Sequence, residues 1–304
     1  MSPFPVIVHQ YPSSAKPDRP RSAFEYRPSP SETTTTTRPQ NALVFIPGLG
    51  DSPFDVPYIQ TIASKLTSSS YSAFEINLYS SGSAFGYGSI AQDVRDIADL
   101  VRYLKGSGRK KVVLMGHSTG CQDCMGYAKA VAAGKVPGVE GYVLQGPVSD
   151  REAIGLSCVG EGVRESLGVA ERMVREGRGE EVMERDVLPG EWRESPVSAY
   201  RWASLAGVGG DDDCFSSDLG NEKLKGIWGN VQSPVLIVPS GADEFVPAEV
   251  DVPGMVERWR GFCRPRIMSG LSGLIPGANH RVDDATAKEW LADRVSRFLG
   301  ELGE

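Results

Sequence analysis

Apolar residues recur along the chain in two rhythms. Short apolar-rich runs at Ala42 to Ile46, Tyr71 to Tyr79, Lys111 to Met115, Gly141 to Gln145 and Val235 to Val238 read as strands buried on both faces. Tyr58 to Leu66 and Ala285 to Leu299 read as helices, and Ser80 to Gly88 as a Gly/Ser loop. The clearest helix lies between them: Ile90, Val94, Ile97, Val101 and Leu104 recur at three- and four-residue steps, while Asp93, Arg95, Asp96 and Arg102 occupy the other face. Strands that alternate with amphipathic helices predict a mostly parallel central sheet with helices on both faces.

Two stretches break this rhythm. Within residues 1–41, Val6 to Val8 and Ala23 to Tyr26 predict two short strands, an N-terminal hairpin at the sheet edge. They are followed between Pro28 and Gln40 by a Ser/Thr/Pro segment that includes the run Thr33 to Thr37 and is too polar to fold against a core, which predicts a flexible loop. Residues 151–225 carry helical patches such as Val163 to Val174 but no strand alternation, and are predicted to form a helical cap inserted over the sheet. The whole, residues 1–304, is expected to be one domain.

Composition narrows the partners. A net charge of -7 and a pI near 5.2 exclude broad nucleic-acid binding, which needs clustered cations to displace counterions. No run approaches the roughly 20 apolar residues of a membrane span, and Met1 to Gln10 lacks a basic segment followed by a long apolar run, so a cytoplasmic protein is expected. Five cysteines, an odd number, suggest reduced thiols. Cys121 and Cys124 form a Cys-x-x-Cys pair, open to a redox or zinc role, but their place on a buried helix favours packing.

The candidate chemistry sits where one strand meets the next helix. Gly116-His117-Ser118-Thr119-Gly120 matches G-x-S-x-G directly after the Lys111 strand, the context in which a serine hydroxyl is exposed on a strained turn. Such a turn implies the α/β-hydrolase fold and makes Ser118 the candidate nucleophile. The chain has three histidines: His9 lies in the N-terminal hairpin and His117 within the motif, which leaves His280, in the loop before the last helix, as general base. Asp243, after the Val235 strand, is the expected orienting acid and gives the order Ser, Asp, His. Asp150, after the Gly141 strand, competes for that role, and Glu244 is expected to point elsewhere. Backbone N–H groups of Leu49, in Pro47-Gly48-Leu49-Gly50-Asp51, and of Thr119 are the expected oxyanion donors. This chemistry calls for no metal or cofactor.

These residues, with Ser195-Pro196-Val197-Ser198-Ala199-Tyr200-Arg201-Trp202 and Gly209-Gly210-Asp211-Asp212-Asp213-Cys214-Phe215-Ser216-Ser217-Asp218, resemble the fungal SidJ-type siderophore esterases. The likeness runs from about Ala42 to the C-terminus, and the departures lie mainly in the first forty residues. The resemblance implies hydrolysis of ester bonds in fusarinine-type hydroxamate siderophores during intracellular iron release. Ser118, Asp243 and His280 fall on the family's catalytic positions. Asp211, Asp212 and Asp213 read either as a solvated loop or as carboxylates that attract substrate amines, with Trp192 and Trp202 packing on its acyl arms. A general carboxylesterase or thioesterase with the same triad, or a binding protein that keeps the fold without the chemistry, are the alternatives.

Overall fold

The alternation of buried positions along each strand decides which helices cover which face of the sheet. The computed structural model describes residues 4–27, 39–158 and 162–303. Seven strands, β1 (Val6–Tyr11), β2 (Arg21–Tyr26), β3 (Asn41–Ile46), β4 (Tyr71–Ile76), β5 (Lys111–His117), β6 (Gly141–Gln145) and β7 (Val235–Val238), form one sheet in the order β1-β2-β4-β3-β5-β6-β7. From β4 to β7 every pairing is parallel, whereas β1 and β2 add an antiparallel hairpin at the edge. This is the α/β-hydrolase architecture. The polar segment at 28–40 lies almost wholly outside the described residues.

Helices flank both faces: α1 (Tyr58–Lys65), α2 (Ile90–Gly106), α3 (Gly120–Ala132), α4 (Asp150–Ser157), α5 (Val163–Arg175), α6 (Ala199–Ala206), α7 (Asn221–Trp228), α8 (Val252–Phe262) and α9 (Ala285–Glu301). Ala42, Val44 and Ile46 of β3, with Val112 and Leu114 of β5, face the core under α2 and α3. Leu43, Phe45, Val113 and Met115, one residue out of step, face α1 and α9. The central strands are therefore mostly apolar on both faces, as a sheet covered on both sides requires.

Between β6 and β7, helices α4 to α6 build a third core around Met173, Leu188, Val197, Trp202 and Leu205, and Leu49 and Phe85 from the sheet side pack against it, while Leu224 and Trp228 of α7 join the core under α2 and α3. The Gly/Ser stretch after β4 is not irregular throughout, since Gly82–Tyr87 forms a 3-10 turn.

The polar face of α2 is covered where the sequence pattern left it open. Asp93, Asp96 and Asp99 are all buried. Asp96 accepts from the Tyr79 backbone N–H at 2.9 Å and pairs with Arg21 at 3.0 Å, and Asp93 accepts from the Ser80 hydroxyl at 2.8 Å. The hairpin and the loop after β4 cover this face, and neither contributes to a helical periodicity read along α2 alone.

Candidate active site

Strand β5 ends in a turn that ordinary side chains could not make. A Cβ on Gly116 would fall 2.3 Å from the Gly120 carbonyl oxygen, and one on Gly120 would fall 2.3 Å from the Ile46 carbonyl oxygen. With both places empty the turn closes tightly, and Ser118 is driven to φ 53, a left-handed conformation that costs a non-glycine residue about 1–3 kcal/mol. Ser118 is partly exposed at the start of α3, and its own N–H donates to the Gln145 carbonyl at 3.0 Å.

The loop after β3 lies against this turn, as a Cβ on Gly48 would meet Ser118 Cβ at 2.9 Å. Asp51 fixes the loop: its carboxylate accepts from the Gly48 N–H at 3.2 Å and from Arg281 at 2.9 Å. Among the described residues, the backbone N–H groups of Leu49 and Thr119 donate no hydrogen bond. Two such donors beside a serine at a helix N-terminus are what a developing oxyanion requires.

His280 is buried in the loop before α9, and its Nδ1 lies 2.8 Å from Asp243 Oδ2. The other Asp243 oxygen accepts from the Phe245 N–H at 3.1 Å, so both carboxylate oxygens are fixed. A proton on Nδ1, donated to the carboxylate, leaves Nε2 as the basic nitrogen. Asp150 does not share this role; its carboxylate accepts from Gln122 Nε2 at 2.6 Å. Glu244, expected to point away, accepts the His280 backbone N–H at 2.8 Å.

Several further residues surround His280. The His117 ring lies 5.0 Å from the His280 ring, and the Phe245 ring meets His280 edge-on at 4.8 Å. His117 is fully buried, and burial together with neighbouring His280 pushes its pKa down to about 3, so it stays neutral and does not compete as a base. Its Nδ1 donates to Gln145 Oε1 at 2.6 Å, which also accepts from Tyr58 at 2.8 Å. Gln145 Nε2 donates to Ser240 at 3.2 Å and to the His280 carbonyl at 3.3 Å. One glutamine thus ties the serine turn to the histidine loop. A lone amide at the end of the otherwise apolar run Gly141 to Gln145 was the available signal.

The cap residues named from the sequence do not assemble at an exposed mouth. Trp202 is fully buried in the core of the insertion, donating to Ser166 at 3.0 Å, so it packs on no substrate arm in this arrangement. Trp192, half-buried, sits between Trp202 at 5.0 Å and Phe85 at 5.9 Å. Asp211 accepts from the Tyr200 hydroxyl. Asp213 is buried, accepting from the Gly209 N–H at 2.8 Å and from Ser216. Asp212 is buried against Arg201, 2.7 Å away. The run is thus only partly a solvated loop: Asp211 stays exposed beside Tyr200, whereas Arg201 of α6 holds Asp212 inside and Gly209 and Ser216 hold Asp213 there. Cys121 and Cys124 are fully buried, and burial holds both thiols protonated.

Comparison with known proteins bears on this geometry. A family described as "Protein of unknown function (DUF1749)" matches residues 1–300. A protein of Schizosaccharomyces pombe, UPF0613 protein PB24D3.06c, is 32% identical over 314 residues, covering 98% of this chain and 96% of that protein. Fusarinine C esterase sidJ of Aspergillus fumigatus is 32% identical over 356 residues, covering 98% of this chain and 96% of the relative. Among solved structures, siderophore hydrolase EstB from Aspergillus fumigatus superposes with a TM-score of 0.80 at 28% identity, covering 100% of this chain and 99% of that one. The matches extend through the first forty residues, where the sequence alone suggested divergence.

Proposed function

The chain belongs to the DUF1749 family, and on that premise we propose that it is a serine esterase that cleaves the ester bonds of fusarinine-type hydroxamate siderophores through an acyl-enzyme, a step in intracellular iron release. One observation carries the chemical part: Asp243 bonds His280 Nδ1 at 2.8 Å, and the His280 ring lies 5.0 Å from the ring of His117, the residue before the strained Ser118. The substrate class is supported by the names of relatives that match almost end to end.

In this reading His280 Nε2 takes the Ser118 hydroxyl proton as Oγ attacks the ester carbonyl carbon, and the oxyanion that forms is held by the Leu49 and Thr119 N–H groups. Asp243 stabilises the imidazolium. Collapse of the intermediate breaks the bond to the alkoxy oxygen, which leaves as an alcohol with the proton from His280. A water molecule, deprotonated by His280, then attacks the acyl-enzyme, and the second collapse returns Ser118 and frees the acid. His117, neutral and pinned to Gln145, keeps a second positive charge away from the imidazolium.

The test has two parts. Ser118→Ala should lose labelling by a fluorophosphonate probe and at least ~10³-fold of turnover with its fold intact. Mass spectrometry of iron-loaded and iron-free fusarinines incubated with the wild-type protein should show linear products. If no fusarinine is cleaved while a short-chain nitrophenyl ester turns over rapidly, the siderophore assignment fails and the hydrolase assignment stands.

A further inference from the structure

The loop proposed to supply an oxyanion donor and the loop that carries the proposed base meet through two side chains that the acyl-transfer steps leave unused. Gly48 to Asp51 form one turn, and Asp51 closes it twice: its backbone N–H donates to the Gly48 carbonyl at 3.2 Å, and its carboxylate Oδ2 accepts the Gly48 N–H at 3.2 Å. Gly50, third in the turn, takes φ 76, the left-handed conformation that a type II turn requires there. This closure sets the direction of the Leu49 N–H. Because a peptide unit is planar and trans, its carbonyl and N–H point in opposite directions, so a Gly48 carbonyl held inside the turn directs the Leu49 N–H out of it. A carbonyl that swung free would carry the Leu49 N–H with it.

The turn is itself anchored from outside. Asp51 Oδ1 accepts from Arg281 Nη1 at 2.9 Å, the Asp51 carbonyl accepts the Gly82 N–H at 3.0 Å, and the Leu49 side chain packs on the core of the insertion. Of these three anchors, the arginine is the one that leads back to the base. Arg281 directly follows His280, and its Nη2 donates to the Asp55 carbonyl, farther along the loop of Asp51. The His280 backbone is fixed on both sides, its N–H by Glu244 and its carbonyl by Gln145, so the arginine reaches Asp51 from a held support. With the Arg281 side chain 38% exposed, the ion pair adds little to folding, and its loss is read in the chemistry before the melting temperature.

Building on the proposed esterase reading, we infer that Arg281 and Asp51 are positioning residues whose ion pair ties the Leu49 oxyanion donor to the His280 loop, so that donor and base are held in one frame before the substrate arrives. Each acts through another group: Asp51 through the peptide between Gly48 and Leu49, and Arg281 through Asp51. An oxyanion exists only after the serine has attacked. A donor held in place for it therefore lowers the barrier without tightening the binding of the ester, and the effect of the pair falls on kcat and not on KM.

Turnover of nitrophenyl acetate and the rate of labelling by a fluorophosphonate probe read the effect directly. Arg281→Met should lower kcat and the labelling rate by ~10- to 10²-fold, less than the removal of an oxyanion donor, with KM within about 2-fold of the wild type. Arg281→Lys, which returns one charged donor to Asp51, should recover at least ~3-fold of the loss. Asp51→Asn should match Arg281→Met, and the double variant should be no slower than the worse single one, since both changes break one bridge. Losses that multiply in the double variant, or an Arg281→Met protein with wild-type kcat and labelling rate, overturn the inference. Hydrogen exchange gives a reading that needs no activity: the Gly48 amide should exchange at least ~10-fold faster in Arg281→Met than in the wild type. If the wild type is neither labelled nor able to cleave any ester, the esterase reading falls; faster Gly48 exchange in Arg281→Met then upholds the bridge between the loops, and unchanged exchange overturns it.

Discussion

Asp243 Oδ2 sits 2.8 Å from His280 Nδ1, while Asp150, the other aspartate that follows a central strand, bonds Gln122 instead. Asp243 was the expected acid and Asp150 its competitor, and of the two it is Asp243 that bonds the histidine. Asp243→Asn should lower kcat/KM by up to ~10⁴-fold, because an amide presents the wrong hydrogen-bonding partner and favours the unproductive tautomer. Asp150→Asn should act mildly through local structure. If Asp150→Asn proves the more damaging at matched thermal stability, the orienting acid has been misassigned.

Gln145 should behave as a positioning residue. Its side chain bonds Tyr58, His117, Ser240 and the His280 carbonyl. Gln145→Met keeps the bulk and removes every one of these bonds. Leaving buried donors unpaired should cost about 1–3 kcal/mol for each group, seen as a lower melting temperature. A loosened His280 loop should also lower kcat by up to ~10²-fold with little change in KM. A variant that melts earlier but keeps its kcat would mean that Gln145 supports the fold alone.

The parts of this protein visible in its sequence are those that one element specifies by itself. Gly116 to Gly120 announces the serine turn because only glycine fits where backbones come within 2.3 Å of a Cβ. The central strands are visible because both faces are buried. What periodicity missed is supplied by distant segments. Strand β1 runs on through His9 to Tyr11, past polar residues, because His9 bonds the buried Glu25 at 3.0 Å. The acidic face of α2 reads as a solvent face until Arg21, Tyr79 and Ser80 are placed on it. Trp202 read as a side chain that packs on a substrate arm because nothing local shows that the insertion builds its own core.

Arg201 of α6 pins Asp212 inside the insertion and also donates to the Phe85 carbonyl outside it. It is almost fully buried and pairs with Asp212, and burial is offset by the surrounding carboxylates so that its charge is kept. Removing one partner of a buried ion pair typically costs about 3–5 kcal/mol, more than the pair is worth against an apolar replacement of both. Arg201→Met should therefore destabilise the protein by that order, and Arg201→Met combined with Asp212→Leu should recover part of the loss. Chemical denaturation of the three proteins measures both effects. A double variant no more stable than the single one would show that Arg201 acts through Asp93, Asp123 or Asp150 and not through Asp212.

Glu75 gives a pH dependence of stability whose sign is fixed by its surroundings. It is fully buried in β4, accepting from the Tyr26 hydroxyl at 2.8 Å and the Phe54 N–H at 3.0 Å. Burial outweighs both bonds and carries its pKa from 4.5 to about 7. Between those values the unfolded chain has lost the proton and the folded chain still holds it, so folding must take up a proton and stability falls as pH rises. Above both values the penalty is constant. Glu75→Gln does not titrate and keeps the size of the side chain. Its advantage over the wild type should be absent below the unfolded pKa, grow as pH rises toward 7, and level off at about 3 kcal/mol. Urea unfolding midpoints of the two proteins from pH 4 to 9 test this, after correction for any constant offset from the altered hydrogen bonds. A difference that stays flat across the range, or that grows on acidification, would show that Glu75 is ionised in the folded protein.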